Sequence, residues 1–133
     1  MITVRVGNGL EISIQYLSYE WSETERLQTA LEELGARDAV CGVSSEGGLF
    51  EYGSDEEIVA NLKALCGGTS EDAFVVGSVT REGEAVRASA GASRVATRPR
   101  TLEAFRSLAE RGGWKVQEIV ERPFSFHVRL VKE

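Results

Sequence analysis

Two short unbroken apolar runs, "AVCGV" at residues 39–43 and "AFVVGSV" at residues 73–79, constrain this chain more than any other feature. A strand with one wet face alternates apolar and polar residues. A continuous apolar run of five to seven residues suits a strand buried on both faces, as in a parallel sheet covered by helices. Each run is preceded by a helical pattern. "SETE" at residues 22–25 reads as a capping box that starts a helix, with Leu27, Ala30, Leu31 and Leu34 on one stripe and Gly35 as its stop. "SDEE" at residues 54–57 is a second capping box and places three carboxylates in a first helical turn, where the helix dipole favours anions. Ile58, Leu62 and Leu65 form its inward stripe, and Gly67 and Gly68 end it.

The flanks read as antiparallel pairs. "ITVRVGNGLEISIQY" alternates on both sides of Asn8-Gly9, which supplies the positive φ values of a hairpin turn. "WKVQEIVERPFSFHVRLVKE" alternates twice around Arg122-Pro123 and predicts a second hairpin. Thr101 caps a helix with Leu102, Phe105, Leu108 and Ala109 inward, ending at Gly112-Gly113. Residues 80–100 lack periodicity and read as a loop, a lid or a solvated hairpin. The expected fold is one α/β domain over residues 1–133: a mainly parallel sheet covered by about three helices, an N-terminal hairpin and a C-terminal antiparallel hairpin. Right-handed crossovers follow from the strand-helix alternation, with the last strand antiparallel to the rest.

Composition narrows the partners. With 15 basic and 21 acidic residues the formal charge is −6, and an acidic surface repels phosphate backbones, so no nucleic-acid partner is expected. The densest basic stretch, "RVATRPR" at residues 94–100, reads as a solvated loop or as an anion contact. No apolar run approaches a membrane span and no secretory leader is evident, so a cytoplasmic protein without a membrane partner is expected. Cys41 and Cys66 set no disulfide framework and read as small buried hydrophobes; one histidine, His127, on the polar side of its strand, leaves no metal signature.

Residues 38–130 resemble the C-terminal half of class I S-adenosylmethionine-dependent methyltransferases. "DAVCGVSSEGGLFEYGSDEEIVANLKAL" is similar to that family's fourth strand and following helix, "AFVVGSVTR" to its fifth strand, and "TLEAFRSLAERGGWKVQEIVERPFSFHVRL" to its closing helix and strand pair. The resemblance implies S-adenosylmethionine as cofactor, and a pocket edged by residues 46–52. The family binds that cofactor chiefly through a glycine-rich strand-to-helix turn and an acidic residue ending the second strand. Neither has a counterpart here, because strand patterns flank "VGNGLEIS" on both sides. The chain is therefore expected to be either a fragment or a cut-down scaffold, unable to bind the cofactor fully alone. The alternative is a non-catalytic small-molecule-binding or interaction domain.

In open α/β sheets ligands bind beyond the carboxyl ends of strands. The candidate pocket residues there are Ser44, Ser45, Glu46, Gly47, Gly48 and Tyr52 after the first run, Ser78, Thr80 and Arg81 after the second, and Trp21 in the segment Tyr19-Glu20-Trp21. They offer hydroxyls, a carboxylate, a guanidinium and aromatic faces to a polar small molecule with a flat ring; each also suits a turn, cap or packing role. Glu46 and Glu51 lack a partner that would make them a general-base pair, and no catalytic residue is assigned. The family's first strand lies beside its fourth, so its absence exposes the edge of "AVCGV". Pairing by "ISIQYLSY" is expected to cover that edge, with a homodimer through the exposed edge as an addition.

Overall fold

The computed structural model describes residues 2–83 and 97–133. In chain order the elements are β1 (Ile2–Arg5), β2 (Glu11–Ile14), α1 (Thr24–Glu33), β3 (Gly42–Ser45), α2 (Leu49–Tyr52), α3 (Asp55–Gly68), β4 (Phe74–Thr80), α4 (Leu102–Arg111), β5 (Trp114–Glu121) and β6 (Ser125–Lys132). The main sheet has the order β3-β4-β6-β5. β3 and β4 run parallel, while β6 is antiparallel to both β4 and β5. The last strand is thus antiparallel to the rest, as the sequence predicts. The sheet is mixed rather than mainly parallel, because β6 inserts between β4 and β5 and makes two of the three pairings antiparallel.

Alternation along the strands builds the core. Val75, Gly77 and Val79 of β4 sit opposite Leu130, Val128 and Phe126 of β6, all on one face. Phe50 of α2, Ile58 and Leu62 of α3, Phe105 and Ala109 of α4, and Trp114 of β5 complete this core, each essentially without solvent contact. Gly77 leaves room for Phe50, since a Cβ there would lie 2.5 Å from the ring. The Trp114 indole N–H donates to the Leu62 carbonyl at 2.8 Å, which satisfies the one polar atom of a buried aromatic. The opposite face, with Phe74, Val76, Arg129 and Val131, is half-buried, and the Arg129 guanidinium stacks 4.3 Å from the Phe74 ring centre.

Of the three helix caps predicted from sequence, two form. Ser54 accepts from the Glu57 amide at 3.1 Å while the Glu57 carboxylate accepts from the Ser54 amide at 2.9 Å, a complete capping box. Thr101 caps α4 by accepting from the Ala104 amide. The box predicted at Ser22 does not form; α1 begins at Thr24 behind Glu23, with no side-chain cap. The backbone around Trp21 is held by α3 instead (below), and this moves the helix start. Gly35 takes the left-handed conformation, φ 65°, and stops the α1 region as expected.

Three further expectations are corrected. β3 spans Gly42–Ser45, later than the apolar run, and its residues are exposed or half-buried because it lies at the sheet edge. The N-terminal hairpin does not cover that edge: β1 and β2 pair only with each other, as a separate two-stranded sheet. Asn8 and Gly9 supply the positive φ values of its turn. Cys41 and Cys66 are half-buried rather than core residues. The loop, lid or hairpin expected over residues 80–100 falls mostly on residues 84–96, which lie outside the described residues.

Candidate functional site

A cavity of about 290 Å³ opens beside β3. Val43 and Ser45 point to its helix-covered side and Ser44 to the other, as the register with Val75, Gly77 and Val76 requires. α3 supplies Asn61, Leu62 and Leu65, the β3-to-α2 turn supplies Glu46 and Gly48, and the segment before α1 supplies Tyr19 and Trp21. The floor is therefore apolar, and hydroxyls, one carboxylate and two aromatic side chains stand around the rim.

Asn61 organises the rim. It is 2% exposed, yet it lies on the apolar stripe of α3, three residues after Ile58. Its amide nitrogen donates to the Trp21 carbonyl at 2.9 Å and to the Glu57 carbonyl at 2.8 Å, and its carbonyl accepts from the Tyr19 hydroxyl at 2.6 Å. One buried amide thus ties the Tyr19–Trp21 segment to α3 with its polar atoms satisfied. Burial pushes the Tyr19 hydroxyl above its ordinary pKa of 10.0. Tyr19 and Trp21 belong to a segment that the sequence offers as a pocket wall, whereas Asn61 does not stand out there; a lone asparagine on an apolar helical stripe is the available signal.

Of the sequence candidates, Trp21, Ser44, Ser45, Glu46 and Gly48 line the cavity. Ser45 also accepts from the Phe50 amide at 3.4 Å. The other five stand outside it. The Gly47 amide donates to the Ser78 hydroxyl at 3.3 Å, so these two join the β3 and β4 ends. Gly47 has φ 63°, which its lack of a Cβ permits. Thr80 donates to the Glu51 carboxylate at 3.4 Å. Arg81 donates to the Arg122 carbonyl at 3.1 Å and stacks on Phe126. Tyr52 is half-buried at the end of α2.

The arginine-rich stretch is corrected in part. Arg94 lies outside the described residues and Arg98 is exposed, but Arg100 is 7% exposed rather than solvated. Its guanidinium donates to the Phe50 and Gly53 carbonyls at 3.0 and 2.8 Å and pairs with Asp55 at 2.9 Å. The fork geometry of arginine matches this set of acceptors, and the result locks the α2-to-α3 corner that carries the cavity wall. His127 is exposed on the polar side of β6, as expected. Among the described residues, no group of three or more metal-ligating side chains converges, and no helix is long and apolar enough to cross a membrane.

The sheet order β3-β4-β6-β5, with a single antiparallel strand inserted and helices against it, gives an α/β fold similar to that of solved methyltransferases. Solved structures bear this out at the level of fold. LepI in complex with S-adenosylmethionine superposes with a TM-score of 0.55 at 14% identity, covering 69% of this chain and 26% of LepI. The mitomycin 7-O-methyltransferase MmcR matches with a TM-score of 0.54 at 14% identity, over 83% of this chain and 39% of MmcR. CalO1, a methyltransferase of calicheamicin biosynthesis in its S-adenosylhomocysteine-bound form, matches at 0.52 and 14% identity, over 71% of this chain and 30% of CalO1. The chain therefore spans between about a quarter and two fifths of the length of these proteins. No family model and no curated protein sequence matches it.

Proposed function

We propose that this chain is a methyltransferase-fold binding domain. Its cavity beside β3 takes the flat, polar end of a small molecule of the S-adenosylmethionine type. The observation that supports this reading is the pairing of two aromatic side chains, Tyr19 and Trp21, with Ser45 and Glu46 around one apolar floor. Such a rim accepts a heteroaromatic ring by stacking and its polar substituents by hydrogen bonds. At about 290 Å³ the space is at the lower bound of ordinary small-molecule sites, roughly 300–1,000 Å³, so it holds part of the ligand. The remaining contacts would come from elements with no counterpart among the described residues, and methyl transfer needs them for positioning.

Calorimetric titration with S-adenosylmethionine, S-adenosylhomocysteine and adenosine tests the reading. Weak saturable binding is expected for all three. Trp21→Ala should lower affinity about tenfold, the effect of losing one base–aromatic stack. No heat and no thermal shift at millimolar ligand would sink it. A second reading, an interaction domain on the same scaffold, is favoured by the exposed apolar hairpin.

A further inference from the structure

Besides the outer edge of β5, which Lys115, Glu118, Glu121 and a register shift guard against further pairing, two surfaces are left uncovered among the described residues. The first is one face of the N-terminal hairpin, where register places Ile2 beside Ile14 and Val4 beside Ile12. These four are 64%, 59%, 46% and 48% exposed, in that order, and Leu10 at 59% and Val6 at 38% flank them. A two-stranded hairpin with nothing against its apolar face is marginal in water. The second surface is the free edge of β3, which pairs only with β4, with Val40 at 80% exposure beside it.

We infer that two copies of this chain exchange hairpins: β1–β2 of one copy lies along the free edge of β3 in the other, reciprocally. Each surface supplies what the other lacks, backbone donors and acceptors with an apolar cover. β2 and β3 have the same length, four residues each. Charge permits the contact even though each chain carries −6. Residues 39–45 contain no acidic or basic side chain, and the hairpin's Arg5 and Glu11 pair with each other at 3.5 Å. The six exposed apolar side chains of each hairpin are the area the contact can draw on, and the reciprocal pair together must bury about 1,200 Å² to reach the lower end for specific interfaces. Tyr19 is anchored by Asn61, so Gln15 to Ser18 form a lead of at most about 13 Å. Across that lead the hairpin forms a sheet of its own and makes no ladder with its own β3. The exchanged hairpin also walls the side of the cavity bounded by Val43 and Ser44.

Light scattering and sedimentation of the full chain test this without any ligand, so the outcome is separable from the binding reading. A dimer is expected at micromolar protein. Ile12→Lys in the hairpin and Val40→Lys beside β3 change exposed side chains, and each should weaken the dimer tenfold or more. A mixture of the two variants should regain association, because an intact hairpin then meets an intact edge. Amides of residues 42–45 should gain hydrogen-exchange protection on dimerisation. A monomer throughout overturns the inference. So does a dimer insensitive to Ile12→Lys, or one weakened by Ile12→Lys alone, which would mean that hairpins pack on each other.

Discussion

Asn61 shows how much one buried amide decides. It replaces what would be an apolar contact on α3 by three hydrogen bonds, and it fixes Tyr19 and Trp21 where they can meet a ligand. Tyr19 carries a measurable consequence. Its hydroxyl donates to Asn61, and burial raises its pKa above 10.0. The folded state therefore holds the phenol proton more tightly than the unfolded state. The stability this contributes is complete below pH 10 and is lost as pH rises through the folded value. Comparing Tyr19→Phe with the parent by denaturant unfolding from pH 8 upward should give a constant difference that shrinks above pH 10. A difference independent of pH throughout would contradict the burial of this hydroxyl. Tyr19 and Trp21 are legible in the sequence as one candidate wall, but Asn61 is not, because a hydrogen bond spanning 42 residues leaves no periodic trace.

At the scale of elements, local signals were legible where the element is decided locally. Ser54 and Thr101 cap helices as their sequences predict, and Asn8-Gly9 turns the hairpin. Signals failed where distant groups compete. "SETE" has the composition of a capping box, yet the Asn61 contact with the Trp21 carbonyl sets the entry to α1. The apolar run at residues 39–43 suggested burial on both faces, but burial depends on neighbours, and β3 has only one. The short α2 went unread because four residues carry no periodicity, although Phe50 is among the most buried side chains. Arg100 was likewise hidden in a stretch that resembles a solvated loop. Its guanidinium holds the corner between α2 and α3, so Arg100→Ala should cost about 2–4 kcal/mol, as two carbonyls lose their donor. Arg100→Lys should recover little of this, since an ammonium cannot reproduce the fork. Chemical denaturation measures both, and an Arg100→Ala loss below about 0.5 kcal/mol, the range of ordinary surface changes, would show that the clamp is not structural.

For the whole molecule, the order of helices and strands predicted an α/β class and a methyltransferase-like topology, and both hold. The sequence reading placed too much of the sheet in parallel register, because strand order in space is not encoded by strand order in the chain. The candidate pocket was half legible for the same reason. Residues on the β3 exit line the cavity, while Ser78, Thr80 and Arg81 follow β4 to its far side, where they join backbone and side chains of the fold. Net charge acts at this scale too. Two chains of −6 repel through solvent even where the contact itself is uncharged. Raising salt from about 10 to 100 mM shortens the screening length from roughly 30 to 10 Å and should tighten the proposed dimer. Sedimentation at the two salts checks this, and a dimer that loosens with salt would place ion pairs, not apolar side chains, at the contact.

The position of β6 has a consequence for how this sheet is made during synthesis. β5 leaves the ribosome before β6 but, among the described residues, pairs only with β6, which also supplies the link to β4. Until the last strand emerges, β5 with its buried Trp114 has nothing to pair with, and β3–β4 is a two-stranded parallel pair. Parallel pairing and late closure are both slow and leave apolar backbone open. The four-stranded sheet thus closes only when β6 joins it, like an arch whose keystone is cut last.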